Sequence, residues 1–134
     1  MKKKLVKFSN CRNKIMKVFI LAGGLGTRLS EYTKTIPKPM VKIGGYPMLL
    51  HIMNHYLKYG FKDFYIATGY KGHIIKKYFK NFKKNEKEFK HKIFGKVCKI
   101  TIANTGNRTM TGGRLKRLKK FLNKDETFMF TYGD

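Results

Sequence analysis

The sequence predicts an α/β domain with a mainly parallel sheet. Three observations point there. Short apolar runs alternate with amphipathic stretches of helical spacing along most of the chain. The first run, Val18-Phe19-Ile20-Leu21-Ala22, is apolar without interruption, as a strand buried on both faces must be. With 134 residues, 42% hydrophobic and 14% aromatic, the chain can fill one core and would crowd two.

Residues 1–15 are basic and aperiodic and read as an amino-terminal extension, so the folded domain is expected over 16–134. Met16-Lys17-Val18 leads into the first strand, which Gly23-Gly24 closes. After a glycine- and proline-rich loop, Val41-Lys42-Ile43 reads as a short strand ended by Gly44-Gly45. Pro47 suits the first position of a helix, whose apolar stripe is Met48, Leu49, Ile52, Met53, Tyr56 and Leu57. Phe64–Ala67 is the next strand. A helix from about His73 buries Ile74, Ile75, Tyr78, Phe79 and Phe82. Lys83–Lys92 reads as an exposed, lysine-rich connection. Val97–Ala103 is a strand, Asn104–Gly113 a polar loop, Arg114–Leu122 a helix and Thr127–Tyr132 a last strand.

With 31 Lys+Arg against 7 Asp+Glu the formal charge is +24, enough to attract any polyanion. Only five of the basic residues are arginines, and the lysines are scattered over the chain. That pattern reads as a solvated surface, and the expectation is no specific nucleic-acid partner. No apolar run approaches the roughly 18–20 residues of a membrane span, and polar residues interrupt any secretory leader. Cys11 and Cys98 have neither disulfide-scaffold nor metal-ligand spacing, which points to the cytoplasm.

Parallel sheets bind ligands outside the carboxyl ends of their strands. Here those ends are Gly23–Arg28, Gly69–Tyr70, Asn104–Arg114 and Gly133–Asp134. Gly23-Gly24-Leu25-Gly26-Thr27-Arg28 is either a plain glycine turn or a loop whose bare amides take an anion beside a fixed positive charge. It matches neither the dinucleotide G-x-G-x-x-G pattern nor the P-loop. Pro37-Lys38-Pro39 presents a lysine from a stiff segment, as a surface loop or as a phosphate contact.

Taken together, Leu21–Leu29 followed by Pro37-Lys38-Pro39-Met40 resembles the signature of the sugar-phosphate nucleotidylyltransferases. Ser30-Glu31, Met110-Thr111-Gly112-Gly113-Arg114-Leu115-Lys116-Arg117 and Thr131-Tyr132-Gly133-Asp134 narrow the resemblance to the glucose-1-phosphate cytidylyltransferases. It implies a Rossmann-like nucleotide-binding domain, truncated here on the carboxyl-terminal side. The implied reaction joins CTP and α-D-glucose 1-phosphate into CDP-glucose and pyrophosphate, a step of nucleotide-sugar and polysaccharide biosynthesis.

By the same resemblance Arg28 and Lys38 are catalytic. Leu21, Ala22, Gly23, Gly24, Leu25, Gly26, Thr27, Arg28, Lys38, Thr109, Arg114 and Gly133 bind nucleotide or substrate. Asp134 binds Mg²⁺, with a second metal aspartate lying further along the family's chains. The 134 residues alone are then expected to be inactive or weak. Two other readings stay open: a related enzyme using UTP, dTTP or GTP, and a basic nucleic-acid-binding protein. A homo-oligomer is compatible with the sequence.

Overall fold

The computed structural model describes residues 15–25, 34–79 and 88–134. The proposed extension therefore lies outside the described residues except for Ile15, which is 75% exposed.

Five strands form the main sheet: β1 (Lys17–Ala22), β4 (Asp63–Thr68), β5 (Glu88–Ile93), β6 (Lys96–Asn104) and β7 (Met129–Tyr132). Their order is β5-β6-β4-β1-β7, and all neighbours run parallel except β5 against β6. Two-residue strands β2 (Lys42–Ile43) and β3 (Tyr46–Pro47) make a separate hairpin. Helices α1 (Met48–Lys58) and α2 (Gly72–Tyr78) precede β4 and β5, and α3 (Thr111–Leu118) runs into a 3₁₀ turn, Lys119–Phe121.

The alternation of strand side chains explains the layering. On β1, Val18, Ile20 and Ala22 join Leu49, Met53, Ile75 and Phe79 in one core beneath α1 and α2. Phe19 and Leu21 point the other way, with Tyr65, Ala67 and Leu118, towards α3. Phe19 meets the Tyr65 ring edge-on at 5.3 Å between centroids. Both faces are covered, which is why β1 and β4 are buried along their length and lack polar alternation.

Several expectations shift. Pro47 pairs with Lys42 in the hairpin and α1 starts at Met48, because Pro47 holds an extended ψ of 143°. Lys92 and its neighbours are not an exposed connection: Glu88–Ile93 is β5, with Phe89 and Ile93 buried and Glu88, Lys90 and Lys92 turned outward. The helix expected at Arg114 begins three residues earlier, at Thr111, shortening the polar loop. Phe82 lies outside the described residues.

Candidate functional site

Four parallel strands bring their carboxyl ends to one edge, and a cavity of about 570 Å³ opens there. Leu21, Ala22, Gly23, Gly24 and Leu25 form one wall, and Asn107, Arg108, Thr109, Met110 and Thr111 form the facing one. Lys38, Pro39, Arg114, Tyr132 and Asp134 complete it. Nine sequence-predicted positions (Leu21–Leu25, Lys38, Thr109, Arg114 and Asp134) thus share one cavity. Gly133 is buried next to it. Gly26, Thr27 and Arg28 lie outside the described residues.

Arg114 is the most heavily bonded group at this edge, with only 5% of the residue exposed. Its Nη2 donates to the Gly23 carbonyl at 2.6 Å, and its Nη1 to Thr105 Oγ1 at 2.7 Å and the Gly106 carbonyl at 2.8 Å. One guanidinium therefore ties the loop after β1 to the loop after β6. Two glycines make room for it. A Cβ on Gly23 would stand 2.1 Å from Arg114 Nη1, and one on Gly69 2.7 Å from the same nitrogen. Burial, with the nearby charge of Arg117, pushes the Arg114 pKa below its ordinary value, yet a guanidinium stays cationic.

Lys38 Nζ and Asp134 Oδ2 form an ion pair at 2.5 Å, each side chain about a third exposed. The pairing depends on how closely the β7 end approaches the Pro37–Pro39 segment. The Gly133 N–H donates to the Leu21 carbonyl at 2.9 Å. A Cβ at Gly133 would lie 3.0 Å from Pro39 Cγ and 3.2 Å from Ala22 Cβ. A bare Gly133 lets the strand end sit against Pro39, beside Lys38.

Asp134 is a hard oxygen donor, the kind a divalent cation such as Mg²⁺ prefers. Among the described residues no cluster of three carboxylates, histidines or cysteines surrounds it. The donor set fits a cation whose remaining ligands come from phosphate oxygens and water. Lys38 and Arg108 on the cavity wall suit the same polyanion, while the Arg114 guanidinium is spent on protein acceptors behind it.

Sequence reasoning missed Thr105 and Arg117. Arg117 Nη1 donates to the Thr105 carbonyl and, at 2.8 Å, to Thr109 Oγ1. The available signal was its place one helical turn after Arg114. Cys98 is buried and donates weakly to the His91 carbonyl, with burial pushing its pKa up to about 11, so it contributes no nucleophile. Among the described residues no helix is long and apolar enough to cross a membrane.

Residues 17–134 match the nucleotidyl transferase family. Over 130 residues the chain is 51% identical to the glucose-1-phosphate cytidylyltransferase of Salmonella typhimurium, covering 89% of this chain and 50% of that protein. It is 44% identical over 133 residues to the probable glucose-1-phosphate cytidylyltransferase of Bacillus subtilis, with the same coverage. The chain thus spans about half the length of these curated relatives. Among solved structures it resembles HddC from Yersinia pseudotuberculosis complexed with GMP-PN, at a TM-score of 0.66 and 30% identity, covering 89% of this chain and 48% of that one.

Proposed function

Because the chain belongs to the nucleotidyl transferase family, we propose that its cavity is the nucleotide side of a site that makes CDP-glucose. An oxygen of the glucose 1-phosphate phosphate attacks the α-phosphorus of CTP in line. The bond from that phosphorus to the bridging oxygen breaks, and pyrophosphate leaves with its electron pair. The attacking oxygen comes from the substrate, so no protein nucleophile is needed. Positioning and neutralisation of phosphate charge carry the rate.

The observation that carries this reading is the ion pair of Lys38 with Asp134 on the wall of a cavity otherwise rich in positive charge. A lysine held between two prolines is presented from a fixed backbone, so only its side chain has to be ordered on phosphate oxygens. The glycine loop over Leu21–Gly26 lines the nucleotide, Thr109, Arg114 and Gly133 flank it, and Arg28 holds the departing pyrophosphate. When bound, Mg²⁺ supplies charge neutralisation to the phosphates, with Asp134 as its ligand in this chain. The choice of cytosine follows the Salmonella and Bacillus relatives. GMP-PN in the Yersinia structure keeps guanine as the second reading. The reaction is assigned to the cytoplasm, and residues 16–134 to the nucleotide half of the domain.

The test joins this chain to the remaining half of the Bacillus subtilis relative and measures pyrophosphate release with glucose 1-phosphate. The expected result is weak or no release from the 134 residues alone. The joined protein should prefer CTP over UTP, dTTP and GTP by at least about tenfold, or 1.4 kcal/mol. A preference for GTP would replace the cytidylyl reading with the guanylyl one.

A further inference from the structure

We propose that Arg117 is a positioning residue that sets one wall of the cavity and fixes which way the Thr109 hydroxyl points. The inference rests on the nucleotide reading of the cavity and deepens it. Residues 105–110 run from the end of β6 to the start of α3 and supply Asn107, Arg108, Thr109 and Met110 to the wall. Their first residue is anchored, since Thr105 N and Oγ1 both donate to the Thr68 carbonyl, at 2.8 and 2.9 Å. Thr109 sits four residues on, and its Oγ1 accepts a hydrogen bond from the exposed Arg117.

The grip has a specific chemistry. Two hydrogens of the same Arg117 nitrogen go to acceptors at the two ends of the loop, the Thr105 carbonyl and Thr109 Oγ1. One nitrogen therefore closes the loop like a clasp. Gly106 leaves the room: its φ is +90°, and a Cβ there would stand 2.6 Å from Arg117 Nη1 and 2.7 Å from Thr109 Oγ1. A hydroxyl has one hydrogen to give and two lone pairs to receive. With a guanidinium N–H on one lone pair, the Thr109 hydrogen is turned away from Arg117. It is then available to an acceptor atom on a ligand, such as a base carbonyl or a phosphate oxygen. Arg117 acts on the ligand only through Thr109.

The test uses the 134-residue chain with four variants: Arg117→Gln, Thr109→Val, Thr109→Ser and the Arg117→Gln/Thr109→Val pair. Amide hydrogen exchange of residues 104–110 reads the wall, and CTP titration followed by NMR reads the ligand. Arg117→Gln and Thr109→Val should each speed exchange of 104–110 by about tenfold, the scale of one lost hydrogen bond to a charged donor. Amides of β1 and β4 should not change. Thr109→Ser keeps the acceptor oxygen and should retain slow exchange.

For CTP, the double variant should lose no more affinity than the worse single one, because contacts in series are not additive. Unchanged exchange in Arg117→Gln overturns the proposal. So does a double-variant loss equal to the product of the singles, which would put Arg117 directly on the nucleotide. Absence of any CTP binding by the unaltered chain would instead overturn the nucleotide reading, and exchange alone would then decide the clasp.

Discussion

Lys38→Ala should have opposite effects on divalent-cation binding with and without nucleotide. Lys38 occupies the Asp134 carboxylate at 2.5 Å, so a cation must displace it. The side chains are 27% and 31% exposed, which puts the pair in the regime of weakly shielded surface contacts. Such pairs are worth about 0.2–1 kcal/mol. Removing the lysine should therefore tighten Mn²⁺ binding to the nucleotide-free chain by about 1.4- to fivefold. Mn²⁺ serves here because it shares the oxygen-ligand preference of Mg²⁺ and is read directly by electron paramagnetic resonance. With CTP present the phosphates lose a neutralising cation, and the same substitution should weaken nucleotide-dependent Mn²⁺ uptake by about tenfold. Asp134→Asn should weaken both. If Lys38→Ala weakens Mn²⁺ binding without nucleotide, the lysine is not competing for Asp134, and the exchange of partners is wrong.

Four further outcomes are expected. Gly23→Ala should destabilise the fold by about 1–3 kcal/mol, and combining it with Arg114→Ala in urea unfolding should cost less than the sum, because the clash has lost its partner. Cys98, with its pKa near 11, should react with a disulfide reagent at pH 8 roughly a hundredfold more slowly than an ordinary thiol in a Cys11→Ser background, and normally once urea unfolds the chain. Burial raises the Asp63 pKa, with Lys99 at 3.5 Å pulling it back. The folded state then binds the extra proton, so this contribution is full below the ordinary carboxylate value and lost as pH rises through the raised one; urea midpoints should show Asp63→Asn gaining on the parent as pH climbs from 4, and a falling difference would refute the sign. A chain starting at Met16 should unfold within about 1 kcal/mol of the full one by thermal melting, since Ile15 is already 75% exposed.

β1 and β4 were legible because unbroken apolar runs have few other uses in so polar a chain. Much of what gathers at the cavity was legible too, since the glycines after β1 and β7 follow strands directly and parallel pairing puts those ends together. β5 was hidden by composition. Its period of two is present in Phe89, His91 and Ile93, but Lys90 and Lys92 between them read as solvated surface. Those lysines in fact line an edge strand, where outward charge discourages pairing with another chain. The bond of Arg114 to Gly23 had no local signal at all. Its acceptor at Gly23 is 91 positions away, a separation at which only the folded sheet brings donor and acceptor together.

The Arg114 bonds bear on whether this site can be moved. A loop that held phosphate through its own amides alone could be transplanted behind any parallel strand and keep its shape. Here the Gly23 carbonyl is held by a side chain from α3, and the space that side chain fills is reserved by glycines after two different strands. Grafting Leu21–Arg28 onto another sheet would therefore carry the letters of the motif without its support. The smallest portable unit is the glycine segment together with residues 104–118 and Gly69, three pieces far apart in the chain that function as one part.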